Sequence, residues 1–429
     1  MKPSQSPDIA HFLSTACGQY AHHGARQTTN SHQKRSGQMR FPFKCLAVLT
    51  CLAGLAAGQT KSAKTLDIYF IDTEGGLSAL YVSPTGESLL VDTGNPGGRD
   101  TDRIMDTLNT AGVRQIDHLI LTHYHVDHIG GLQELARRIP IKHFIDHGPS
   151  IEPREQVPGF QAMYAELYAK ATHTVAKPGD KIPFAGADVV VLTSAGESLK
   201  RPIAGAPGAG KPNPACADFT PRDESRVDPD NHQSVGVVIS FGKFRTVNLG
   251  DFTYNREKEL MCPNNPVGTV DLYLTSHHGI DQSGSPALVH GLHPRVAVMH
   301  NSTRKGGAIP TMQTLYSSPG LENIWQLHWA YAAGIEYNTP GLFIANPEDL
   351  PTLANVLLNP PPTFGQGPAR GAPPAPAAGA PPATPPAGRG FGGGHSGPAF
   401  LIKVSAQADG SFTVTNTRNN FSKTYAASR

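Results

Sequence analysis

The chain has 429 residues, with 36 Lys and Arg against 34 Asp and Glu and a formal charge of +2. That length holds one large domain or two ordinary ones with ample core. The near balance of charge, without long basic runs, argues against an extended nucleic-acid footprint and leaves the substrate open.

Residues 1–38 are polar, lack apolar periodicity and read as an unfolded leader or a mis-assigned start. Next, Arg40 and Lys44 precede an apolar run from Cys45 to Ala57, and Ala56, Ala57 and Gly58 supply small residues before Gln59. This resembles a secretory signal peptide over 39–58, with translation starting at Met39. It predicts a secreted or periplasmic protein that keeps no transmembrane anchor once the segment is removed. Thr50 before Cys51 argues against a lipoprotein. Of the five cysteines only Cys216 and Cys262 then remain, and a disulfide between them or two buried thiols are the alternatives.

Thr65 to Ile71 and Leu77 to Ser83 read as a hairpin around Glu74-Gly75-Gly76, and Ser88 to Val91 as a strand delivering Asp92. Asp102 to Ala111 suits a helix, and Ile116 to Leu121 a buried strand. That strand runs into THYHVDHIGG, Thr122 to Gly131. His123, His125, Asp127 and His128 are the imidazole and carboxylate set that suits zinc and similar ions. We place them on a loop at a strand's C-terminal edge, before an amphipathic helix from Leu132 to Ile139, where sites gather in layered α/β folds.

Lys142 to Asp146 and Ala187 to Leu192 read as strands and Phe160 to Ala171 as a helix, which gives the α/β class. Residues 195–231 are a long Gly, Pro and charge-rich excursion, read as a loop walling the site. Its GAPGAGKP lacks the spacing of a phosphate loop. Val235 to Phe241 and Arg245 to Leu249 form a hairpin that aims Asp251 at the same edge. Asp271 to Thr275 leads to His277 and His278, and Arg295 to Met299 to Asn301, Arg304 and Lys305, for which contact with an anionic substrate and solvated loop charges are the alternatives. Tyr124 and Tyr254 flank the motifs, with packing as their default role. Residues 351–398 are Pro, Ala and Gly-rich and read as a flexible segment. Ala399 to Ser405 and Ser411 to Asn416 make a hairpin that, alone, is too small to be stable and should dock on the main domain or a partner.

The HxHxDH motif after an apolar strand, LLVDTG (89–94) before it and NLGD (248–251) and SHHG (276–279) after it together resemble the metallo-β-lactamase fold superfamily of metal-dependent hydrolases. Within it, residues 67–94 and SHHG are most similar to the hydrolase domain of bacterial competence proteins and its stand-alone relatives. The resemblance covers roughly residues 66–350 and implies a four-layer αββα sandwich. It also implies two divalent metals, most simply zinc, with manganese or iron as alternatives. His123, His125 and Asp251 would hold one ion, and Asp127, His128, Asp251 and His277, favoured over His278, the other. Asp92 would support the metal loop by hydrogen bonding. The superfamily often adds a histidine before the bridging aspartate; this chain offers Asn231 and His232 there, and if neither binds the first site stays open. The implied chemistry is attack by an activated water, with Asp127 and Asp251 as catalytic residues. Phosphodiesters or phosphate esters are the favoured substrates. Lactones, other esters and β-lactams are the alternative, and a metal-binding envelope module without turnover is a third reading.

Overall fold

The computed structural model describes residues 64–151, 159–225, 227–347 and 399–427. The leader, the signal-like segment and the Pro-rich stretch lie outside these residues.

The first half of the chain forms β1 (Leu66–Phe70), β2 (Ala79–Val82), β3 (Ser88–Val91), β4 (His118–Ile120), β5 (His143–Asp146) and β6 (Thr172–Val175). The second half forms β7 (Lys181–Ile182), β8 (Asp188–Ser194), β9 (Glu197–Ser198), β10 (Gly236–Phe241), β11 (Phe244–Asn248), β12 (Leu272–Leu274), β13 (Val296–Met299), β14 (Asn323–His328) and β15 (Ile344–Asn346). The end of the chain adds β16 (Ile402–Ala406), β17 (Phe412–Asn416) and β18 (Phe421–Tyr425).

One sheet runs β18-β17-β16-β1-β2-β3-β4-β5-β6, and the other β15-β14-β13-β12-β11-β10-β8-β7 with β9 on β8. Alternation along the strands explains how they stack. Ile68 and Phe70 of β1 face the second sheet with Val189, Val237 and Trp325, while Tyr69 and Ile71 face outward. The outer face of the first sheet is covered by α1 (Arg99–Thr110), α3 (Leu132–Arg138) and α4 (Phe160–Tyr168). That of the second is covered by α5 (Tyr254–Met261), α6 (Pro286–Leu292) and α7 (Ile309–Tyr316). Strands buried on both faces read as near-continuous apolar runs, as VAVM in β13 does. The architecture is the four-layer sandwich expected.

The predicted terminal hairpin is a three-stranded unit, because Asn420 turns the chain with φ +56° into β18. β16 pairs antiparallel with β1, Ile68 opposite Val404, so these strands extend the first sheet. Ile402, Val404 and Phe412 fill the space between the sheets, and Trp325 Nε1 donates to Tyr425 Oη at 3.1 Å.

β3 to β6 are parallel, as are β11 to β15. Their C-terminal ends carry Asp92, Thr122, Asp251, His277 and His300 to one edge of the sandwich.

Candidate metal centre

The motif after β4 departs from the expected loop. His125 is extended at φ −69°, ψ 147° and caps a single helical turn, α2 (Val126–Ile129), which carries Asp127 and His128. The two halves of HxHxDH therefore diverge, His123 and His125 before the turn and Asp127 and His128 on it. Two acid and histidine groups result: His123, His125 and Asp251, and Asp127, His128 and His278.

Each ring has one nitrogen committed elsewhere, and this fixes its tautomer. Thr122 Oγ1 donates to Asp92 Oδ2 at 2.6 Å and so accepts from His123 Nδ1 at 3.0 Å. His128 Nδ1 donates to Asp92 Oδ2 at 2.7 Å. His278 Nδ1 donates to the His300 carbonyl at 3.1 Å, and His125 Nε2 lies 3.2 Å from Asp228 Oδ2. Nε2 of His123, His128 and His278 and Nδ1 of His125 are the nitrogens that converge.

Their spacing suits a metal. His123 Nε2 and His125 Nδ1 are 3.0 Å apart, and His128 Nε2 and His278 Nε2 3.3 Å apart. Asp127 Oδ2 is 3.5 Å from both of the latter. Asp251 reaches both groups, at 3.9 Å from His123, 3.3 Å from His128 and 3.3 Å from His278. Ligands about 2.1 Å from a tetrahedral zinc stand about 3.4 Å from one another. Lone pairs packed this closely without protons between them repel unless a cation sits among them, so the donor set fits two divalent ions.

The electrostatics agree with that design. Burial and the neighbouring His128 and His125 hold His123 well below the usual imidazole range. Burial opposes ionisation of Asp127 and Asp251, but Lys305 and His128 at the first, and the surrounding histidines at the second, override it and keep both as carboxylates.

Three expectations need correction. His278 rather than His277 joins Asp127 and His128. Both residues sit in the left-handed region, φ +51° and +56°, so the chain does not continue as a strand end and the second ring turns into the group. His277 stays beside Asp251, with Nε2 3.3 Å from Oδ2 and Nδ1 3.3 Å from Ser283 Oγ. His232 turns away to Glu224 at 3.4 Å, while Asn231 beside it is buried. Asn301 is structural: its side chain donates to the His328 carbonyl at 2.7 Å.

Asp92 takes the supporting place expected of it, accepting the Thr122 backbone N–H at 2.8 Å as well. Tyr124 donates to the Gly148 carbonyl, and Tyr254 packs under Arg222, so both are packing residues. Arg304 is exposed, whereas Lys305 Nζ lies 2.6 Å from Asp127 Oδ2. Asp228, which sequence reasoning passed over, comes from the end of the 195–231 excursion. That loop is pinned by the Cys216–Cys262 disulfide. A third group, Asp72, Glu74 and His328, is balanced internally, since Arg103 pairs with Asp72 at 2.9 Å and Glu74 at 3.4 Å.

Residues 72–290 match the family model described as the metallo-beta-lactamase superfamily. The competence protein ComA of Neisseria gonorrhoeae is 25% identical over 240 residues, 56% of this chain and 28% of that protein. The atrochrysone carboxyl ACP thioesterase of Aspergillus terreus is 41% identical over 61 residues, 14% of this chain and 19% of that protein. The chain thus spans well under half the length of either relative. Among solved structures, the metallo-beta-lactamase fold protein YhfI of Bacillus subtilis aligns over 61% of this chain and 95% of its own, with 13% identity and a TM-score of 0.38. With more than half of its length matching the family model, the chain belongs to the metallo-β-lactamase superfamily, a family made up mostly of metal-dependent hydrolases.

Proposed function

We propose that the protein is an exported metal-dependent hydrolase of phosphodiesters or phosphate esters. The observation that carries the hydrolytic reading is the convergence of tautomer-fixed nitrogens on Asp251. His123, His125 and Asp251 would hold one divalent ion, and Asp127, His128, His278 and Asp251 the other; zinc is the simplest choice for this donor set. Ions bound there would polarise the scissile bond and bring the pKa of a water towards neutrality.

The residues do the rest. Asp92, Thr122, Asp228 and the His300 carbonyl keep the rings aimed, so little reorganisation is needed during reaction. Asp127, kept anionic beside Lys305, is placed to accept the proton that the attacking water loses. Two divalent ions outweigh the two carboxylates that face them, and this net positive charge favours a substrate that arrives negative, as a phosphodiester does. The signal-like segment and the disulfide support export to an oxidising compartment.

Ester or lactone hydrolysis is the second reading, favoured by the local likeness to a thioesterase. A substrate panel separates the two. Zinc- or manganese-loaded protein is expected to hydrolyse bis(p-nitrophenyl) phosphate in preference to p-nitrophenyl acetate and a chromogenic β-lactam. Turnover of the neutral ester alone would replace the phosphodiester reading with the second one.

A further inference from the structure

We propose that Lys305 is the anion anchor of this centre: its ammonium group binds a negatively charged oxygen of the substrate next to the scissile bond and so selects anionic over neutral substrates. The inference deepens the phosphodiester reading and rests on it.

Lys305 is held in place by its loop. Ser302 N–H donates to the Lys305 carbonyl at 2.9 Å, and Ser302 Oγ accepts from Lys305 N–H at 3.1 Å, which closes a tight turn. The turn sits on the metal ligands' own backbone. A Cβ at Gly306, where φ is +99°, would come within 2.1 Å of the His278 carbonyl oxygen, so no side chain fits between loop and ligand. From the other side the 72–76 loop closes in. A Cβ at Gly75 would lie 3.0 Å from Ser302 Oγ and 3.3 Å from Lys305 Cβ, and one at Gly76 2.5 Å from the Asp127 carbonyl oxygen. The Asp72, Arg103 and His328 network fixes that loop, with His328 Nε2 2.8 Å from Asp72 Oδ1. Two segments distant in sequence thus position one lysine against one metal-ligand aspartate.

The Lys305 and Asp127 side chains are each 20% exposed, so the pair is largely buried but keeps contact with solvent. An ammonium group has three N–H donors. Among the described residues Asp127 Oδ2, at 2.6 Å, is its one hydrogen-bond partner. Two donors are left for another acceptor. Asp127 thereby holds the charge beside the position where a substrate oxygen meets the metal-binding groups, and a charge-assisted hydrogen bond to that oxygen is the consequence.

The test compares wild-type protein with Lys305→Ala and Lys305→Arg, each loaded with zinc or manganese and with bound metal counted. Two readouts are taken: KM and kcat for bis(p-nitrophenyl) phosphate and p-nitrophenyl acetate, and calorimetric binding of inorganic phosphate. With Lys305→Ala we expect KM for the diester to rise and phosphate to bind about ten- to a hundredfold more weakly, as loss of a charged hydrogen bond implies. With bound metal retained, the diester should lose more than the neutral ester, whose kinetics report the effect of the variant on Asp127, and Lys305→Arg should recover much of the loss. Equal effects on both substrates, loss of metal, or unchanged phosphate binding would overturn the proposal. If wild-type protein turns over neither substrate, the hydrolytic reading fails, while phosphate binding still decides the role of Lys305.

Discussion

His128 Nδ1 and Asp92 Oδ2 lie 2.7 Å apart with both side chains wholly buried, so a residue that touches no ligand position determines which nitrogen His128 offers. The same carboxylate accepts from Thr122 N and Thr122 Oγ1, and Thr122 in turn orients His123. One aspartate therefore aims one ring of each group. Asp92→Asn turns an acceptor oxygen into an NH2 group that faces donors. We predict that it weakens metal binding about 10- to 100-fold, read by competition with a chromophoric chelator. Unchanged affinity would remove Asp92 from the orienting role.

The Cys216–Cys262 disulfide closes a segment with a sequence separation of 46. A chain-entropy model assigns a loop of that size about 4 kcal/mol. Replacing both cysteines by serine should lower Tm by roughly 5 °C for a domain of this length. Alkylation, read by peptide mass, should label Cys216 and Cys262 only after reduction. Labelling of both thiols without reductant would contradict the bond.

Glu257 of α5 is fully buried and accepts the N–H groups of Gly284 at 2.8 Å and Ser285 at 2.6 Å, at the start of α6. Burial outweighs these bonds and pushes its carboxyl up to about 7. The folded state therefore takes up this proton more readily than the unfolded chain. Its contribution is fully present below about pH 4.3, the unfolded value, and is lost as pH rises through about 7. Glu257→Gln keeps an acceptor and removes the titration. Its Tm relative to wild type should rise between pH 5 and pH 8, and a constant difference would show that Glu257 does not titrate there.

How much of this was legible depended on whether the signal was local. HxHxDH, Asp92 and Asp251 each follow an apolar strand within a few residues, so their shared edge could be read from the order of the elements. The choice between His277 and His278 could not, because it turns on two consecutive left-handed backbone conformations that no residue type there announces. Asp228 lies in an excursion without period, brought to His125 by packing distant in sequence. In sequence Lys305 has the same standing as its loop neighbours, and only the structure separates it from the buried Asn301 and the exposed Arg304. β18 does carry a local signal, Asn419-Asn420 followed by the alternating FSKTY.

The measurement closest to the central claim is the number of metal ions held per chain, counted by plasma mass spectrometry after loading with zinc or manganese and removal of free ion. Wild-type protein should hold two, His278→Ala about one, with His123→Ala weakening the other site, and added chelator should abolish hydrolysis of bis(p-nitrophenyl) phosphate until metal is restored. Wild-type protein that retains no metal, or variants that bind as it does, would contradict the account.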